Sequence, residues 1–157
     1  MFLRRSLLTI SALALLANVV SAQDKPNFSG SWKMNATKSD FGPMPAPSAA
    51  TRTITHTDPE LKFKATQTTD NGEQTTEATY KTDGTEFMVK RRNMEIKAIG
   101  KWDGAKLVVK SKFEAQGMEI SSTENWTLAA DGKELHIITA LGTPQGDFDL
   151  KIVMEKQ

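Results

Sequence analysis

The chain contains no cysteine, so neither a disulfide framework nor a thiolate metal centre can hold it together. It has two histidines, His56 and His136, far apart and without ligand spacing, which argues against a metal or haem site. A single tyrosine and 7% aromatics leave few rings for stacking on nucleobases. Charge of one sign is also lacking: 20 Lys and Arg face 19 Asp and Glu, which fits neither a nucleic-acid binder nor a cation sponge. Beyond residue 22 no segment keeps a helical spacing of apolar residues. The one long apolar run, Leu7 to Val20, spans 14 residues, short of the ~20 that a membrane-crossing helix needs.

That run has a different meaning at the chain start. Arg4 and Arg5 precede it, and Val20-Ser21-Ala22 follows with the small residues of a cleavage site. Residues 1–22 therefore read as a signal peptide and 23–157 as one domain, exported to a periplasm or secreted. The missing cysteines tilt the source towards bacteria, and no Cys stands after the cleavage site to carry a lipid anchor. All 19 acidic residues but only 18 of the basic ones lie beyond residue 22, a formal charge of −1. At this length one core without staples is feasible.

What the mature chain does have is alternation. Asp58-Pro59, Asp70-Asn71-Gly72, Asp83-Gly84, Asp103-Gly104, Gly117, Asp131-Gly132 and Pro144-Gln145-Gly146 punctuate it. Asn-Gly and Asp-Gly supply the positive dihedrals that tight hairpins require. Between these breaks the pattern predicts strands over 28–36, 51–57, 61–69, 73–82, 85–91, 94–102, 105–113, 118–128, 133–141 and 147–156. Such short connections imply antiparallel neighbours. Leu107, Val109 and Phe113 share one face against Lys106, Lys110 and Lys112, and Phe148, Leu150, Ile152 and Met154 oppose Asp149, Lys151 and Glu155. One dry and one wet face along a meander predicts an all-β, antiparallel up-and-down β-barrel of eight to ten strands that hides its edges. A two-layer sandwich is the competing arrangement. Residues 37–50 hold Gly42 and prolines 43, 45 and 47, a stiff loop and no helix.

The stretch Phe28-Ser29-Gly30-Ser31-Trp32 carries a Gly-x-Trp motif at the entry to the first strand. It resembles the opening of lipocalins and of the wider calycin barrels, fatty-acid-binding proteins included. The later Trp102-Asp103-Gly104 and Trp126-Thr127-Leu128 hairpins are similar to those of small exported lipocalin-like proteins of bacteria. The resemblance implies that Gly30 lets the backbone pass under the indole while Trp32 plugs the closed end. Lipocalins add a Thr-Asp-Tyr turn and a late Arg stacked on the motif Trp. Here Gly84 follows Thr82-Asp83 and no Arg occurs after Arg92, which points to a shorter, outlying relative.

An eight-stranded barrel is just wide enough to be filled by side chains or to hold one small ligand. The inward faces include Gln74, Thr76, Gly100, Ser111, Ser122, Glu124 and Thr139 beside the apolar Met34, Phe63, Tyr80, Phe87, Met94 and Met154. A solid core does not take so many small or polar groups without partners. A partly hydrated cavity with adaptable apolar walls is expected. Glu124 is expected at the rim, paired with a lysine; receiving a ligand's polar group or acting as an acid or base are its other readings. No phosphate loop or nucleophile setting occurs. The leading expectation is a non-enzymatic carrier of a small hydrophobic ligand without cofactor, metal, nucleic-acid partner or stable membrane anchor. A protein partner is the second reading, because inhibitors of secreted proteases share the Gly30–Trp32 opening. A barrel isomerase using Glu124 or Tyr80 is the third.

Overall fold

The computed structural model describes residues 24–91 and 93–157; residues 1–22, expected from the sequence to be a signal peptide, lie outside them. Ten strands follow one another: β1 (Gly30–Met34), β2 (Ala49–Thr57), β3 (Glu60–Thr69), β4 (Gly72–Lys81), β5 (Asp83–Arg91), β6 (Met94–Asp103), β7 (Lys106–Ala115), β8 (Met118–Leu128), β9 (Glu134–Thr143) and β10 (Gly146–Lys156). All belong to one antiparallel sheet with the order β4-β3-β2-β1-β10-β9-β8-β7-β6-β5. The sandwich is thereby excluded. The first and last strands zip together, Trp32 opposite Lys156 and Met34 opposite Met154.

The ring is interrupted between β4 and β5, which are consecutive in the chain and share no ladder. Asp83-Gly84 is therefore not a hairpin turn, and two strand edges stay unpaired where full closure is expected from the alternation. Gly100 shows how the walls still meet. A Cβ added there would sit 2.2 Å from the Lys81 carbonyl oxygen, so the end of β4 rests directly on the backbone of β6. Thr82, fully buried, ties the seam to the β2–β3 turn by donating its amide to the Pro59 carbonyl.

Strand β1 is shorter than the alternation implies. Asn35 Oδ1 accepts the amides of Thr37 (3.0 Å) and Lys38 (3.1 Å), an Asx turn that ends the strand. The chain then rejoins the sheet beside β10 through a bridge between Asp40 and Lys151. None of the residues from 35 to 48 is helical. At the strand's entry Gly30 has φ +141°, and a Cβ would lie 3.0 Å from Lys156 Cε and 3.7 Å from the Trp32 indole nitrogen. Trp32 is 1% exposed and donates Nε1–H to the Phe28 carbonyl at 3.0 Å. The place of a late Arg over this indole is taken by Lys156, whose Nζ lies 5.5 Å from a ring centroid.

Cross-strand partners share a face, so the ladders define layers inside the barrel. One rung joins Met34, Met154, Leu135 and Leu128, and the next Ile152, Ile137, Trp126, Leu107 and Trp102. Above them lie Leu150, Thr139, Glu124, Val109 and Gly100, and next Phe148, Leu141, Ser122, Ser111, Ala98 and Phe87. Burial changes along this axis. Leu107, Leu135, Trp126 and Phe28 are fully enclosed at the closed end, whereas Phe113, Ile120, Leu141, Phe148 and Leu150 towards the opposite turns are only half-buried.

Candidate functional site

The border between the packed and the half-open parts of the lumen is polar. Glu124 on β8 is 9% exposed and touches three donors. Arg91 Nη2 from β5 reaches Oε1 at 3.0 Å, and the Trp126 indole reaches Oε2 at 3.0 Å. The Tyr80 hydroxyl, from β4 across the lumen, lies 3.3 and 3.2 Å from the two oxygens. Glu124 is thus not the rim residue paired with lysine that its sequence setting suggests. Alternation carries it inward, and among the described residues the cation paired with it is Arg91, on the seam side.

Arg52 completes the group. Its cross-strand partners Trp32 and Ala65 face the interior, so β2 must carry the guanidinium inward as well. It lies over Phe63 (4.6 Å) and Trp126 (4.8 Å), sandwiched between ring faces, and its Nε has no hydrogen-bond partner. Burial lowers its pKa against the pull of Tyr80 and Glu124. Burial also works against the charge of Arg91, but Glu124 and Tyr80 outweigh it and the pKa is raised. Tyr80 is fully enclosed; burial first, then the neighbouring Glu124, push its pKa upward, so the hydroxyl is a donor and not a base.

The residues expected to line the lumen fall into three groups. Phe63, Tyr80, Phe87, Ser122 and Glu124 are buried on the inner face and surround or adjoin the polar layer. Met34 and Met154 are buried too, opposite one another where β1 meets β10. Ser111 and Met94 are half-buried nearer the mouth, and Gln74 is exposed beside the β3–β4 turn. Next to Glu124 a cavity of about 10 Å³ remains among Tyr80, Arg91, Val109 and Ser111, at the lower limit of room for one water.

A second concavity, of about 730 Å³, lies mainly on the outer face of β6–β8, with Lys97, Ile99, Lys101, Val108, Lys110 and Thr123 in its lining. Its lysines are partly matched, Lys97 to Glu86 at 3.4 Å and Lys112 to Glu119 at 3.6 Å. Larger than the inner void, it is nonetheless open to solvent.

At the closed end Phe28, His56 and Trp102 stack at 5.6–5.9 Å. Asp58 accepts from Lys25 (2.8 Å), the Trp102 indole (2.9 Å) and the Thr82 hydroxyl. Burial alone would raise its pKa; these hydrogen bonds hold it at about 2. His56 Nδ1 accepts the Phe28 amide at 3.3 Å, while its enclosed Nε2 stands 3.9 Å from Asp58 without a hydrogen bond. Burial lowers its pKa. His136 is half-buried beside Glu134, 3.1 Å away. Among the described residues no group of three His, Asp or Glu is placed to hold a metal ion.

No protein-family model matches the sequence, and no curated protein matches it either. Solved structures do. A REP1-NXSQ fatty acid transporter superposes with a TM-score of 0.59 at 16% identity, covering 83% of this chain and 98% of its own. The fold is calycin-like. Zebrafish ileal bile acid-binding protein complexed with cholic acid gives a TM-score of 0.55 at 16% identity over 83% of this chain and 98% of that one. Secretory abundant heat soluble protein 4 from Ramazzottius varieornatus gives 0.59 at 14% identity over 87% and 99%. At these identities the likeness establishes the architecture of this calycin-like barrel, an antiparallel meander that nearly closes.

Proposed function

We propose that the chain is an exported, non-enzymatic calycin-like barrel that carries a small, largely apolar molecule in the half of the lumen above Glu124. One observation carries this reading. Above the polar layer several inward apolar side chains are half-exposed, Phe113, Ile120, Leu141 and Phe148 among them, whereas Trp126, Leu107 and Leu135 below it are fully buried. A wall of that kind gains stability by burying a guest's apolar surface, at about 25 cal/mol per Å². Two of the similar barrels are a fatty acid transporter and a bile acid-binding protein complexed with cholic acid, which supports the same class of guest. The Arg4-Arg5 start, apolar run and Val20-Ser21-Ala22 site support export to a periplasm or the exterior. Catalysis is disfavoured because every oxygen of Glu124 is engaged and Tyr80 holds its proton.

Delipidated protein titrated with alkanols, fatty acids and sterols tests the proposal by native mass spectrometry and thermal melting. A bound guest of one-to-one stoichiometry that raises the melting temperature is the expected result. The absence of any adduct and of any melting shift across the three classes would sink it.

A further inference from the structure

An arginine, a buried hydroxyl and an indole N–H converge on one point of the lumen, and the chain itself supplies the acid they hold. Three donors of this kind form a receptor for a carboxylate. Here both oxygens are already provided by Glu124. The residual void beside it, about 10 Å³, has no room for a second carboxyl group.

We propose that Glu124 is a built-in occupant of a carboxylate receptor, and that the barrel therefore selects guests with an uncharged hydroxyl or amide head over guests with a carboxylate. This rests on the carrier reading above and specifies the guest's chemistry. The layer order gives the reason. A guest entering from the half-open end meets Ser111 and Ser122 first and then the Glu124–Arg91 pair. Arg52 is no use to it, because its guanidinium is stacked on Trp126, one layer deeper than Glu124. A hydroxyl head can donate to Glu124 and accept from Arg91. A carboxylate head can only accept, and it would face a like charge across a poorly solvated gap.

Removing the occupant inverts the preference. Glu124→Gln keeps the shape, removes the charge and leaves Arg91 seeking an anion; Glu124→Ala also opens the space. The test uses a neutral solvatochromic dye bound by the delipidated protein and displaced by dodecanol or by dodecanoate near neutral pH. Wild type is expected to favour dodecanol, and Glu124→Gln to shift the ratio of the two affinities towards dodecanoate by at least about tenfold, the equivalent of one pKa unit of differential interaction. In Glu124→Ala, sodium acetate is expected to raise the melting temperature above that in equal sodium chloride, an effect absent from wild type. If the alanine variant does not fold, the glutamine variant alone decides the matter through the displacement ratio. Dye bound and displaced, but with wild type favouring dodecanoate or with the ratio unchanged in Glu124→Gln, overturns the selection while leaving the carrier intact. A folded Glu124→Ala that gains nothing from acetate overturns the receptor. Failure of wild type to bind dye, alkanol and fatty acid alike instead removes the carrier reading itself.

Discussion

Tyr80 is the side chain that ties the two halves of the lumen wall across the seam. Its hydroxyl contacts Glu124 from the far side of the barrel, and both side chains are buried there. Tyr80→Phe keeps the ring contacts with Phe63 and Trp126 (5.1 and 5.8 Å between centroids) and removes only the donor. A loss of about 1–3 kcal/mol is expected, because a buried acceptor is left short of a partner. Urea denaturation checks it: the midpoint falls while the slope stays constant. At this scale the sequence was legible for Glu124 and Tyr80, whose parity with Ser122 and with Ala78 places them inside. It was not legible for their cationic partners, because an arginine in a strand reads as solvated by default. The signal was nonetheless present: Arg52 shares parity with Ile54, and Arg91 with Phe87 and Val89. Nothing in one strand, however, tells which distant carboxylate a long side chain will meet.

Gly100 controls how the ends of the curled sheet meet. Its ordinary backbone geometry needs no glycine, but the Lys81 carbonyl occupies the place of a side chain. Gly100→Ala is expected to cost about 1–3 kcal/mol, the range for forcing an extra carbon into packed space. The obstacle is main chain and cannot rotate away, so the cost should appear as faster amide exchange in β4 and β5. Hydrogen exchange followed by mass spectrometry reads this directly, and unaltered protection of both strands would refute it. Periodicity located all ten strands to within a few residues because each dry face needs a strict two-residue repeat. What it misassigned was the connection at Asp83-Gly84. An Asp-Gly pair supplies a positive φ, and Gly84 has one at +85°, but a turn residue does not oblige its flanking strands to pair. At that joint Thr82 is held by Pro59 and Lys81 by Gly100, from two other places in the chain.

For the molecule as a whole, acid acts in two stages. His56 has its pKa lowered by burial, so the unfolded chain takes up the proton first as pH falls. Its contribution is complete above about 6.5 and declines as pH drops below that value. Asp58 is held at about 2 against an ordinary 3.8, so its contribution is complete above the ordinary value and is lost as pH falls through 2. Glu60 and Glu134, lowered by hydrogen bonds from Lys81 and Lys38, act in the same direction from half-buried positions. Melting temperature measured against pH should therefore decline in one step starting near 6.5 and a second below about 4. Asp58→Asn should blunt the second step and spare the first; an unchanged second step would remove Asp58 from the account.

The pairing of β1 with β10 makes the first and last strands of the barrel neighbours, with the Gln157 amide bonded to the Ser31 carbonyl. The unladdered joint, by contrast, falls in mid-chain at Thr82. A circularly permuted gene that links residue 157 to residue 24 and opens the chain between Lys81 and Asp83 would preserve every hydrogen-bonded strand pair. Its product would start on one free edge and finish on the other, so that the order of translation and the order of strands round the wall become the same.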